Sequence, residues 1–386
     1  MKLVKFTRQY WFASMVGFAL PFSSAWANID IDSISQDALV KDPVIVECTL
    51  DNGDSASCVK FVVKYQPDNL ETGPFCPKNI DEKGGVWNWD GEMAGLYQID
   101  KGFLSMLDSQ GYHFYDQDGN VNITDVRTTQ PKSDNTCLQA SVDKTVEMTV
   151  LIPVNPVKSD QVSDLGTVAK VGLALDGVPI FADAPSVLDT GHMPALDECG
   201  GHVDPGGWYH WHSTATDIDS VYKNEHLDIE CGIKQKASAM FAYAFDGFPI
   251  YGSLEQDGKM PAGLDICNGH FGPTKEHPEG IYHYHASTTF PNLPTCLHGV
   301  VAKQNFSTTA KQGIGSANGP GQGGGPGHGT PPGFDKAAKT LGVTEKELMK
   351  VIMDNGGRKL DISAAAKDLG VTETQLKNAL PKPPRH

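Results

Sequence analysis

The sequence predicts a mainly β protein: an internally duplicated domain of β-hairpins and histidine-bearing strands, followed by a small α-helical C-terminal module. Three observations carry that prediction. Runs such as CVKFVVKY and TVEMTVLIPV lie between turn-rich stretches, which is the pattern of strands. Three blocks of sequence recur in the same order, offset by 70, 68 and 73 residues. Beyond residue 333 the chain reads helix–turn–helix twice.

Residues 1–27 read as a secretory signal peptide. Lys2, Lys5 and Arg8 form a positive start, Trp11 to Phe22 is apolar, and Ala25-Trp26-Ala27 is an A-x-A cleavage signal. The apolar run is shorter than the ~18–20 residues that a membrane span needs. The chain is therefore expected in the periplasm or outside the cell, with no membrane span. Its formal charge is −16, and without those three cations −19. Such acidity argues against nucleic acid or an anionic membrane as partner and favours cations.

Residues 28–160 are expected to form an N-terminal β-rich region. Its segment GGVWNWDGEMAGLYQIDKGFLSML is rich in aromatics, read as packing in preference to a binding rim. Eight cysteines and no C-x-x-C in an exported chain point to disulfides rather than thiolate metal sites. Here Cys48 can pair with Cys58 and Cys76 with Cys137, although spacing alone does not choose.

The duplicated domain is expected over 161–305. VGLALDGVPIFA (171–182) matches FAYAFDGFPIYG (241–252), ALDECGGH (195–202) matches GLDICNGH (263–270), and GGWYHWHSTA (206–215) matches EGIYHYHAST (279–288). Self-similarity in fixed order marks an internal repeat. Asp176-Gly177 and Asp246-Gly247 predict type I′ hairpin turns. The proline three residues after each Asp predicts an edge strand or a strand start. Turn chemistry explains both aspartates without a further role.

Six of the thirteen histidines fall at matched positions: His202, His210 and His212, then His270, His283 and His285. In a strand, side chains alternate, so His210 and His212 share one face while Tyr209 and Trp211 share the other. Two residues at i and i+2 are roughly 6.6 Å apart at Cα, near enough for imidazoles to meet on one ion. The upstream loop histidine, His202 or His270, can supply a third ligand. Three histidines without cysteine suit Zn or Cu. Each copy can hold its own ion, or the two H-x-H strands can pair and share one centre. The bland reading is that the histidines pack, or hydrogen-bond the Asp-Gly hairpin. Asp197 and Asp265 are candidates to orient a ligand imidazole or to act as a general base, with loop capping as the default role. His226 and His298 follow the H-x-H strings and rank lower as ligands. The repeat predicts Cys199 with Cys231 and Cys267 with Cys296; cross-repeat pairing is the alternative.

Residues 306–333 contain GIGSANGPGQGGGPGHGTPPG, a Gly/Pro-rich linker in which His328 is incidental. Residues 334–386 contain LGVTE twice. Gly342 and Gly370 are placed to end one helix of each unit, and Thr344 with Glu347 and Thr372 with Gln375 to cap the next. With ten Lys/Arg against seven Asp/Glu, this module reads as a contact for protein or envelope, or as an inert stabilising tail, not as a DNA binder.

DGFPIYG, LDICNGHFGPT and EGIYHYHASTTFPNLPTCLHG resemble the YHYH-domain proteins of bacteria, named for the string at Tyr282–His285. The resemblance covers about 165–300. The first copy has Trp211 where the string has tyrosine, with both histidines kept. It implies an exported bacterial protein and assigns no reaction. The helical tail resembles a module appended to many bacterial envelope proteins. The chain has no H-E-x-x-H, G-x-S-x-G, Walker loop or dinucleotide fingerprint. Three functions remain: an exported metalloprotein with a Zn or Cu site that could serve a hydrolase, lyase or oxidase, with a small molecule among its candidate partners; a non-enzymatic periplasmic metal binder; and a structural or adhesive envelope protein. No catalytic residue is assigned.

Overall fold

The eight short strands that carry the repeat lie side by side in one sheet of this computed structural model, which describes residues 29–65, 72–131, 135–165, 170–182, 185–233, 236–317, 334–355 and 360–380. The leader expected at 1–27 and the linker residues 318–333 lie outside the described residues.

The sheet order is Gly201–Val203, Tyr209–Trp211, Pro179–Phe181, Lys170–Ala174, Met240–Ala244, Pro249–Tyr251, Ile281–His285, Gly269–Gly272. Its second half repeats the first in reverse. The hairpins meet at the centre through Ala242↔Ala174, Tyr243↔Leu173 and Ala244↔Gly172. Each His strand pairs parallel to its hairpin, as Ile180↔Trp211 and Ile250↔Tyr284, and antiparallel to its Gly-His strand.

This order decides between two pairs of alternatives that the sequence left open. Four hairpin strands separate the two His strands, so at ~4.8 Å per strand the H-x-H pairs stand roughly 24 Å apart and cannot share an ion. Pro179 and Pro249 begin interior strands rather than edge strands. A first residue tolerates proline because its missing N–H falls at the end of the ladder.

The turns also differ from type I′, which needs positive φ at both central residues. Gly177 (φ 84) and Gly247 (φ 91) have it, and neither aspartate does. The loops hold three residues each, closed by Ala174 N–H to Val178 O and Ala244 N–H to Phe248 O. Asp176 and Asp246 fix them by accepting from the N–H of Val178 at 2.9 Å and of Phe248 at 3.1 Å.

A four-stranded antiparallel sheet joins Leu39–Thr49, Ser55–Val63, Met148–Pro153 and Phe306–Thr308. Phe61, Met148, Val150, Val171, Leu173, Trp208, Phe241 and Phe306 belong to one buried core shared by this sheet and the large one. The boundaries expected at 161 and 306 therefore do not separate independent cores. Lys158–Asp164 is a strand paired with Cys296–Gly299, and Phe306–Thr308 is a strand where a linker was expected. Short apolar strands gain little alone and settle where a neighbouring sheet buries them.

The aromatic segment packs. Trp87, Trp89, Phe103, Leu104 and Leu107 lie in a second core with Met193 and Ala195. The strands Val86–Trp89 and Gly95–Gln98 precede the helix Lys101–Ser109, capped by Asp100. The C-terminal helices Phe334–Leu341, Glu345–Asp354, Ile362–Asp368 and Glu373–Ala379 enclose Ala338, Leu348, Ala365 and Leu376. Both capping boxes are present, and Gly342 and Gly370 have positive φ. Among the described residues no helix is long and apolar enough to cross a membrane.

Four disulfides join Cys48–Cys58, Cys76–Cys137, Cys199–Cys231 and Cys267–Cys296. The last two close loops of 32 and 29 residues, each contributing about 3–4 kcal/mol on loop-entropy grounds. They tie the turn before each Gly-His pair to the chain beyond each His strand.

Candidate metal centre

Strand alternation sends His210 and His212 to one face, and antiparallel register supplies the third imidazole. His202 stands opposite His210, and His270 opposite His283. The third histidine is thus a strand residue, not a loop residue as expected. The glycine before it is required by close approach. A Cβ on Gly201 or Gly269 would lie 2.3 Å from the hydroxyl of Tyr209 or Tyr282.

The ring nitrogens converge. In the first triad the Nε2 atoms are separated by 3.1 Å (His202–His210), 2.9 Å (His210–His212) and 3.1 Å (His212–His202). In the second, His270 Nε2 is 3.1 Å from that of His283 and 3.3 Å from that of His285. His210, His212, His283 and His285 are buried, while His202 and His270 are partly so. An ion with ~2.0–2.1 Å bonds would sit roughly 1 Å off the plane of three such nitrogens, leaving its fourth position on the far side.

Backbone carbonyls fix the tautomers. His285 gives its Nδ1–H to Gly252 O at 2.9 Å, His283 to Ile281 O at 3.0 Å and His270 to Ala262 O at 3.1 Å. A carbonyl can only accept, so a neutral ring held this way presents a bare lone pair at Nε2. Lone pairs 3.1 and 3.3 Å apart repel unless a cation or a proton lies between them. In the first triad His212 Nδ1 is bonded to Ala182 O, and His202 to the carbonyl of Pro194. His210 Nδ1 is buried with no hydrogen-bond partner among the described residues.

Burial favours the neutral form of four of the rings, His202, His210, His283 and His285. It lowers the pKa of His283 to about 4 and also lowers that of His285. His202 and His210 are held well below the ordinary value by burial first and by neighbouring imidazoles second. Neutral imidazole is the form that ligates a metal. The surroundings differ. His210 packs on Phe181 and Trp208 at 5.0 and 4.9 Å, and His283 against Tyr251 at 5.2 Å.

Asp197 and Asp265, considered as partners of the histidines, face the other way. Their Oδ2 atoms accept from Tyr209 and Tyr282, each at 2.8 Å, and their Oδ1 atoms accept backbone N–H groups of Cys199 and Gly201 or of Cys267 and Gly269. The turn places them on the tyrosine face of the strand, so they orient no ligand imidazole. The Asp-Gly hairpins are likewise bonded by aromatics, not histidines. Trp211 Nε1 donates to Asp176 at 3.4 Å and Tyr284 to Asp246 at 2.5 Å. His226 is exposed with φ 58, and His298 stacks on Tyr282 at 4.3 Å; neither joins a triad.

Sequence reasoning missed Glu255. Its Oε1 lies 3.2 Å from His270 Nε2 and 3.8 Å from His285 Nε2. It falls three residues beyond the matched block, where the first copy has Pro185, so the repeat gave no signal for it. Among the described residues, two groups can hold a metal ion: His202, His210 and His212; and Glu255, His270, His283 and His285.

Residues 149–263 and 254–299 match the family described as YHYH protein. The match starts at 149, within the strand Met148–Pro153, rather than at 161. No curated protein and no solved structure matches the chain.

Proposed function

We propose, on the premise that the chain carries a YHYH domain over residues 149–299, that it is an exported metalloprotein with two separate histidine-built centres for Zn or Cu. The first is held by His202, His210 and His212, and the second by His270, His283 and His285. The repeated halves of one sheet represent an internal duplication, each copy keeping its own ion. Export is supported by the leader sequence and by four disulfides, which form in oxidising compartments.

The carrying observation is the second triad. All three Nδ1–H groups are spent on carbonyls, and His270 Nε2 lies 3.1 and 3.3 Å from those of His283 and His285, in a group whose ligand atoms are all within 4.8 Å of one another. That arrangement is ordinary around a metal ion and unfavourable without one. The function supported best is metal binding. A reaction would require a fourth position open to water, whose pKa a bound Zn would lower to ~7.

Metal analysis of the full mature chain, after mild reconstitution, tests the reading. We expect close to two ions per chain, and close to one in His210→Ala/His212→Ala and in His283→Ala/His285→Ala. Wild-type protein without stoichiometric metal would leave the histidines as packing residues.

A further inference from the structure

Glu255 is held in place by its own backbone and by the segment leading to it. The N–H groups of Gly252, Ser253 and Leu254 bond to Ala239 O at 3.0 Å, Asp217 Oδ2 at 2.7 Å and Ala237 O at 2.9 Å. Glu255 itself donates to Lys259 O at 2.8 Å and accepts from Gly258 at 2.9 Å. The turn that follows the hairpin thus carries the carboxylate to a fixed place beside the second triad.

Four ligands at ~2.0–2.1 Å in a tetrahedron stand about 3.3–3.4 Å from one another. The separations here are 3.1 Å (His270–His283), 3.3 Å (His285–His270), 3.2 Å (His270–Glu255) and 3.8 Å (His285–Glu255). One ligand atom from each of the four residues lies within 4.8 Å of all the others. Resting on the metal reading above, we infer that Glu255 is the fourth ligand of the second centre. It closes a set of three imidazoles and one carboxylate suited to a tetrahedral divalent ion, Zn2+ ahead of the tetragonal Cu2+.

A plain hydrogen bond from His270 to Glu255 is the competing role. His270 already spends its Nδ1–H on Ala262 O, so a neutral ring has no proton on Nε2 to give. A lone pair and a carboxylate oxygen 3.2 Å apart need a cation between them. An imidazolium could supply it, but then that nitrogen would no longer ligate a metal.

The test uses the full mature chain and its Glu255→Gln and Glu255→Ala variants, titrated with Zn2+ against a chelator and with Co2+ followed by its visible bands. Each is repeated with His210→Ala/His212→Ala, so that only the second centre reports. The parent should bind Zn2+ at this centre and give the bands of four-coordinate Co2+. Both Glu255 variants should lose affinity by about 100-fold or more, since a ligand matters at least as much as the outer partners worth 10–100-fold. Formate or acetate should restore the Co2+ bands of Glu255→Ala and leave the parent unchanged. If the parent binds its ion and both variants keep its affinity within about threefold with unchanged bands, Glu255 is not a ligand. A parent that binds no ion overturns the metal reading and this inference with it.

Discussion

In the first triad His210 packs between Phe181 and Trp208 with its Nδ1 unbonded, whereas in the second the matched His283 gives its Nδ1–H to Ile281 O. The other partners correspond pair by pair. Ala182 and Gly252 receive His212 and His285; Pro194 and Ala262 receive His202 and His270. One difference in a shared template changes the chemistry. Without an ion, His210 can carry its proton on Nε2 and share it between His212 at 2.9 Å and His202 at 3.1 Å, relieving two of the three close contacts. The second triad has no such metal-free solution while its rings stay neutral. The two matched halves keep the same three histidines, and on the proposed reading the surroundings set how strongly each set would demand a cation.

Four predictions press on that comparison. The largest effect should be the same in both halves. Cys199→Ser/Cys231→Ser and Cys267→Ser/Cys296→Ser should each lower the stability of the metal-free protein by about 3–4 kcal/mol in urea unfolding, because their loops are nearly equal in length. Losses differing by more than about 2 kcal/mol would show that the halves are not held alike.

The next effect should split the halves. With all three tautomers fixed, the second centre should bind Zn2+ about 10–100-fold more tightly than the first. Chelator titration of the two double-histidine variants measures this, and equal or reversed affinities would undo the contrast.

A smaller asymmetry is expected on the tyrosine face. Asp197 is buried (2% exposed), whereas Asp265 is exposed. Tyr209→Phe strips a hydrogen bond from a buried carboxylate and should cost about 1–3 kcal/mol, while Tyr282→Phe should cost under about 1 kcal/mol. Thermal unfolding of the two variants separates these values.

Acid should act last and at low pH. The folded pKa of His283, about 4, lies below the ordinary 6.5. In the metal-free protein this residue's contribution to stability is full above 6.5 and is lost as pH falls towards 4. An NMR titration of the His283 ring in the metal-free protein checks it; a midpoint near 6.5 would mean that this ring is not shielded as described.

The legible part of the site was the part set by local geometry. Period-two alternation put His210 with His212 and His283 with His285, and repeated blocks tied a Gly-His to each pair. Register was not legible. His202 precedes its strand by eight residues and His270 by thirteen, yet antiparallel pairing places both in the same position opposite a ligand. Sheet order was hidden as well, because the central pairing of Lys170–Ala174 with Met240–Ala244 is a contact between distant segments. That contact is what rules out one shared centre. Asp197 and Asp265 had the right chemistry but the wrong face. Glu255 had the right face with no repeated counterpart to draw notice. The mainly β fold was readable from its strand runs, but the merging of two sheets into one core was not, since burial of Phe306 beside Trp208 depends on the whole arrangement.

The central claim is two ions in two separate places. An anomalous difference map at the metal edge, from crystals of the metal-loaded chain, tests it most directly. The account predicts two peaks, one bonded to Nε2 of His202, His210 and His212 and one to Nε2 of His270, His283 and His285, standing roughly 24 Å apart at ~4.8 Å per strand. Metal-replete crystals with no peak at either triad, or with one peak shared between the H-x-H strands, would contradict it.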